Sequence, residues 1–141
     1  MIVIPPHAQA GTAGKPGSQF SGEVHPYLTM PATDGVTINT VNFSPRARTY
    51  WHHHERGQVL LVVAGRGLVQ AEGSPVQVIR AGDTVWAPPG ERHWHGASPD
   101  SYVVHVAISL GQTSWEEAVS DEAYLSAPIT GNLSAPTTGE T

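Results

Sequence analysis

From Val36 onward the chain is a succession of short β-branched runs cut by glycine and proline, and this punctuation restricts it to an all-β sandwich or barrel. The runs are 36–43, 48–54, 58–64, 68–72, 76–79, 84–87, 93–97 and 102–109. Between them fall Gly65-Arg66-Gly67, Gly73-Ser74-Pro75, Ala81-Gly82-Asp83, Pro88-Pro89-Gly90 and Ser98-Pro99-Asp100. Each is a turn signal with a mechanism, because glycine admits positive φ and proline fixes φ near −65°.

The 141 residues suffice for one domain with a real core. Charged residues make up 13% of the chain, the formal net charge is −5, and the seven Lys plus Arg form no basic run. Nothing here suits a phosphate backbone, so nucleic acid is not an expected partner. The absence of cysteine excludes disulfides, thiolate zinc sites and cysteine nucleophiles. Met1-Ile2-Val3-Ile4-Pro5-Pro6 has neither the basic region of a secretion signal nor the length of a membrane anchor, which leaves the cytoplasm as the expected location. Residues 5–22 and 126–141, rich in Pro, Gly, Ser and Ala, read as an arm and a tail. A helix is expected over 114–125, with Ser114 and Glu117 in a capping-box pattern. The organisation that follows is an N-terminal arm and first strand region at 1–35, a barrel at 36–112, a helix at 113–125 and a flexible tail at 126–141.

Residues 52–58 read His-His-His-Glu-Arg-Gly-Gln, and His93 and His95 stand about forty residues later in Gly-Glu-Arg-His-Trp-His-Gly. Successive strand residues face opposite ways, so His52 and His54 share a face while His53 looks away. Imidazole suits Mn, Fe, Ni, Cu and Zn, and a third histidine from a distant strand plus an oxygen donor would complete a cage with open positions. Trp86 is the expected wall of such a pocket, with Val41, Phe43, Leu60 and Val106 as apolar companions. Arg46 and Arg48 are candidates for drawing in a carboxylate, or else belong to a solvated strand edge.

The order strand, His-x-His, Gln, strand, Gly, then Pro-Gly-x-x-His resembles the double motif of the cupin superfamily, carried here by His52, His54, Gln58, Gly65, Pro89, Gly90 and His93. The string from Phe43 to His54, with Trp86 and His93-Trp94-His95-Gly96, is similar to small manganese-dependent bacterial cupins that include hydroxynitrile lyases. The resemblance implies a cupin double-stranded β-helix, or jelly-roll barrel, with a short C-terminal helix, assembling as a homodimer. It implies metal ligands His52, His54, Gln58 and His93, with His95 in the pocket and His105 as acid/base. The expected ion is Mn(II), with Fe(II), Ni(II) or Zn(II) as alternatives. Two positions depart from those lyases: Ser109 stands where they carry Gln, and Glu55-Arg56 where Pro and an apolar residue are usual.

With Gln58 instead of a carboxylate, the donor set is neutral and a divalent ion keeps its full charge as a Lewis acid. Together with this ligand set, the resemblance implies as the leading expectation a lyase that splits a small cyanohydrin into aldehyde or ketone plus cyanide, with His105 or His95 moving the proton. A dioxygenase or alkene-cleaving oxygenase using the same ligands, and a non-catalytic small-molecule binding cupin, are the alternatives.

Overall fold

The computed structural model describes residues 1–9, 11–12 and 19–126. After a single 3-10 turn at Pro6–Ala8, the strands in chain order are β1 (Gly11–Thr12), β2 (Phe20–Ser21), β3 (Val24–Thr33), β4 (Val36–Phe43), β5 (Arg48–Thr49), β6 (His52–His54), β7 (Gln58–Ala71), β8 (Gln77–Arg80), β9 (Thr84–Ala87), β10 (His93–Ala97), β11 (Val103–Leu110) and β12 (Thr113–Trp115). They hydrogen-bond in the order β1-β3-β4-β11-β7-β10-β5-β2, with β8 and β9 also on β7, and β6 between β10 and β12. All the pairings are antiparallel. The all-β jelly-roll expectation is met.

β7 is the strand shared by both layers. Its first half, from Gln58 to Gly65, pairs with β11 and β9, and its second half, from Arg66 to Ala71, pairs with β10 and β8. Gly65 and Gly67 were expected to separate two strands; the chain instead bends through them without breaking the ladder. Gly65 has φ +80°, and a side chain there would strike the Tyr102 carbonyl, so the bend needs glycine.

The side chains that alternate inward form the barrel core: Val24, Val41, Phe43, Ala47, Val62, Ile79, Ala97 and Val103. Outside the barrel, Leu68, Val76 and Trp94 pack under Val119 and Tyr124 of the C-terminal segment. Trp94 is fully buried and its Nε1–H donates to Gln70 Oε1 at 2.8 Å, which satisfies the one polar atom of the ring. Arg48 ties the segment down. Its guanidinium lies 4.5 Å over the Tyr124 ring and donates to the Val119 carbonyl at 2.9 Å and to Asp121 at 2.8 Å. It is thus neither a solvated edge residue nor a substrate anchor.

The C-terminal helix is shorter than expected. Thr113–Trp115 forms β12 against β6, in register Thr113 with His54 and Trp115 with His52. The helix spans only Asp121–Tyr124, where Ser120 accepts from the Ala123 N–H as N-cap. Strand pairing to the histidine strand outweighs the local capping signal at Ser114, whose propensity margin is only tenths of a kcal/mol. At the other end, the first strand region expected within 1–35 contains β3, whose bounds the sequence did not give because Pro26 and Pro31 interrupt its pattern, and which pairs along β4 from Val24 to Thr33. The tail expected at 126–141 lies outside the described residues beyond Ser126.

Gly96 is where β10 and β5 approach most closely. A Cβ there would lie 2.6 Å from Arg48 Cα, a backbone atom that cannot yield. Gly96→Ala is therefore expected to cost about 3 kcal/mol, seen as a fall in urea midpoint with an unchanged m-value. A midpoint within error of the parent would show that β5 is free to move.

Candidate metal centre

The register of β10 against its neighbours assembles the site. His93 stands opposite His52 of β6, so a histidine from each half of the motif meets across one pairing. β6 is held on its other edge by β12. The side chains of His52, His54, Gln58, His93, His95 and His105 are all buried. Ring nitrogens of His52, His93 and His95 all lie within 4.8 Å of one another. The His54 ring centroid is 4.9 Å from that of His52 and 5.4 Å from that of His93. His93 Nε2 stands 3.2 Å from Gln58 Oε1. The tight group is thus His52, His93 and His95, with Gln58 beside His93; His54, an expected ligand, stands next to the group and outside it, while His95, not expected as a ligand, is inside.

Hydrogen bonds at the back of each ring assign the nitrogens. His52 Nδ1 donates to the Tyr50 carbonyl at 2.8 Å and His93 Nδ1 to the Glu91 carbonyl at 3.0 Å, because a carbonyl can only accept. Each neutral ring then presents a bare Nε2. Gln58 Nε2 donates to Ser109 Oγ at 3.1 Å, which aims Oε1 at His93. With the amide in this orientation, Gln58 Oε1 and the bare His93 Nε2 face each other 3.2 Å apart as two acceptors. His54 is held through Nδ1 to Thr113 Oγ1 at 2.9 Å, and its Nε2 is buried without a partner among the described residues. Orphaned lone pairs gathered in one buried place fit a cation.

Burial keeps the rings neutral. Desolvation lowers His52, with the neighbouring His93 adding to it, and takes His54 down to about 4. It also lowers His93 and His95, and it takes His105 down to about 4. The cost of charging an imidazole out of water dominates, and histidines crowded together add to it.

His95 and His105 form a separate pair. His105 Nε2 and His95 Nδ1 are 3.0 Å apart, so one proton joins them, while His95 Nε2 and His105 Nδ1 have no partner among the described residues. His95 borders the main cavity; His105 lies behind it, against Phe43, with ring centroids 5.2 Å apart. His53 points away and bonds Glu116 at 2.9 Å. Glu55 turns from the cluster to accept the Gln112 N–H at 3.0 Å.

The cavity measures about 270 Å³. Phe20, Pro26, Val41, Phe43, Ala107 and Trp115 make its apolar wall, and Thr37, Asn39, Ser109 and Gln58 its polar one; among the described residues no Lys, Arg, Asp or Glu lines it. Of the expected pocket residues, Val41, Phe43 and Ser109 are in this wall; Val106, one position along β11 from the inward Ala107, is not. Leu60 and Trp86 border a second hollow of about 220 Å³ together with His93, and Trp86 is 54% exposed. Strand alternation explains the latter, since Trp86 faces opposite to its buried neighbour Ala87. Thr37 and Asn39 were not singled out from the sequence, although the same alternation that selects Val41 and Phe43 includes them. Trp115, whose ring is 4.5 Å from that of His52, could not be found while its segment read as helix.

Residues 39–109 match the family model of the cupin domain. The chain is a cupin. It is 43% identical over 123 residues to the (R)-mandelonitrile lyase of Granulicella tundricola, covering 83% of this chain and 93% of that protein. A cupin-like protein of Thermotoga maritima superposes with a TM-score of 0.78 at 34% identity, over 83% of this chain and 94% of the other. A polyketide cyclase of Streptomyces resistomycificus, with a TM-score of 0.66, 15% identity and coverage of 88% and 90%, shares the fold alone.

Neutral buried histidines make this cupin acid-labile. A ring whose pKa falls from 6.5 unfolded to about 4 folded leaves the unfolded chain binding more protons between those values, so stability falls as pH drops through that window. At pH 5 each such histidine contributes a loss of about 2 kcal/mol. The melting temperature of chelator-treated protein should fall steeply from pH 7 to pH 5, and less steeply in His105→Phe. A flat profile would mean that the rings are already charged in the folded state.

Proposed function

We propose that this cupin is a metal-dependent lyase of the hydroxynitrile lyase type, reversibly splitting a neutral cyanohydrin into a carbonyl compound and cyanide. The observation that carries the reading is the facing of bare His93 Nε2 and Gln58 Oε1 beside orphaned His54 Nε2, in a chain 43% identical to a mandelonitrile lyase. His52, His54, Gln58 and His93 would hold the ion, with Mn(II) proposed. A divalent ion bound to neutral donors supplies Lewis acidity that lowers the pKa of a substrate hydroxyl.

The chain's own residues account for the rest. A cavity of about 270 Å³ exceeds the roughly 150 Å³ that takes a benzene ring, so a single-ring substrate fits. The described lining residues carry no charged side chain, which favours a neutral molecule seated against Phe20, Phe43 and Trp115. His95, at the cavity wall, takes the hydroxyl proton at Nε2 when its Nδ1–H is donated to His105. As that proton leaves, the oxygen pair forms the C=O bond and the C–C pair departs with cyanide. His95 then returns the proton to cyanide, which leaves as HCN. His105 does not border the cavity, so it acts as a positioning residue that sets which nitrogen of His95 is bare.

The reading also carries a cytoplasmic location and a homodimer. Leu61, Val63 and Trp86, exposed on the outer face of β7 and β9, supply an apolar surface for pairing. Among the described residues no helix is long and apolar enough to cross a membrane.

Metal-loaded protein should release cyanide from mandelonitrile at the same rate with and without oxygen. His105→Gln should keep its metal, lower kcat by about 10²-fold and move the pH profile, since general acid/base catalysis contributes 10²–10⁴. No cyanide release, or turnover only with oxygen consumption, would overturn the proposal.

A further inference from the structure

The wall of the cavity contributed by β4 and β11 carries three polar side chains whose hydrogen-bonding capacity the protein does not use up. On β4 the inward positions are Thr37, Asn39, Val41 and Phe43, and they stand in register with Ser109, Ala107, His105 and Val103 of β11. Thr37 and Asn39 make no side-chain hydrogen bond among the described residues, although both line the cavity. Ser109 Oγ accepts from Gln58 at 3.1 Å, which leaves its own proton to give.

Asparagine is poorly suited to a central strand, and β4 is central, flanked by β3 and β11. A wall that served packing alone would be filled by a β-branched residue, as at Val41. Asn39 is moreover opposite Ala107, whose methyl group leaves the space in front of the amide open. Ser109 is its diagonal neighbour across the same strand pair, at about 7–8 Å between backbones, a span one small polar group can bridge. Nothing on this wall is charged, so it rewards neutral donors and acceptors and gives an anion no partner.

We propose that Asn39, with Thr37 and Ser109 beside it, is a specificity subsite that hydrogen-bonds a neutral hydroxyl or ether substituent on the ring of the substrate. The amide can donate and accept, so a phenolic hydroxyl satisfies it in both directions. An unsubstituted ring leaves it to water. The choice of ring compounds as probes rests on the lyase reading; the subsite itself rests on the wall.

The test is binding to the metal-loaded protein, read by quenching of tryptophan fluorescence, with Trp115 in the cavity wall as reporter. Benzaldehyde is compared with 2-, 3- and 4-hydroxybenzaldehyde. The tightest hydroxy isomer should bind at least five-fold tighter than benzaldehyde, and Asn39→Leu should bring that ratio close to one while Asn39→Gln retains part of it. No isomer exceeding benzaldehyde by two-fold, or a ratio unchanged in Asn39→Leu of native melting temperature, would overturn the subsite. Cyanide release from mandelonitrile is scored separately. Discrimination without cyanide release supports the subsite and removes the lyase reading; cyanide release without discrimination does the reverse.

Discussion

Everything at the centre of this cupin depends on one strand pairing, β6 against β10 with His52 opposite His93. Strand side chains alternate with a period of two, so a slip of one residue would turn every histidine of β10 out of the barrel and bring Trp94 in. The register is secured from both sides. Trp94 is anchored outside by Gln70 and the C-terminal segment, and Gly96 admits the β5 backbone where any side chain would block it. The outer cluster of Trp94, Tyr124 and Val119 thus has a function-bearing role, because it holds the opposite face of the strand that presents His93 and His95.

The same burial that orders His52, His54 and His93 keeps them neutral and leaves their lone pairs for a cation. Desolvation keeps the imidazoles neutral near pH 7, so their lone pairs are available, and main-chain carbonyls behind His52 and His93 choose which nitrogen is bare. That arrangement is unfavourable for the empty protein, since buried acceptors without partners cost about 1–3 kcal/mol each. Stability is given up where a ligand would restore it. The His95–His105 pair follows another rule, with one proton shared between two rings and two outer nitrogens unpartnered.

Much of this was legible in the sequence because it rests on period-two alternation. The bounds of β4, β9 and β10 agree with the expected runs, and His52 and His54 share a buried face with His53 turned to Glu116. What escaped was set by contacts distant in sequence. Ser114 has a helix-start pattern, but backbone pairing to His53 draws it into β12. Arg48 looks like an edge cation until Tyr124 and Asp121, more than seventy positions away, enclose it. Asn39 and Thr37 followed from alternation yet carried no signal of chemistry on their own, and Leu60 and Trp86 have the right character for a pocket but border the second hollow.

In the proposed reading, His52, His54 and His93 form one metal centre with Gln58. The most direct measurement is elemental analysis of untagged protein beside its His93→Ala variant, both verified as folded. Close to one divalent ion per chain is expected, manganese in the proposed reading, with its loss in the variant. Folded, metal-supplemented protein that retains no ion, or a variant that keeps its full complement, would contradict it.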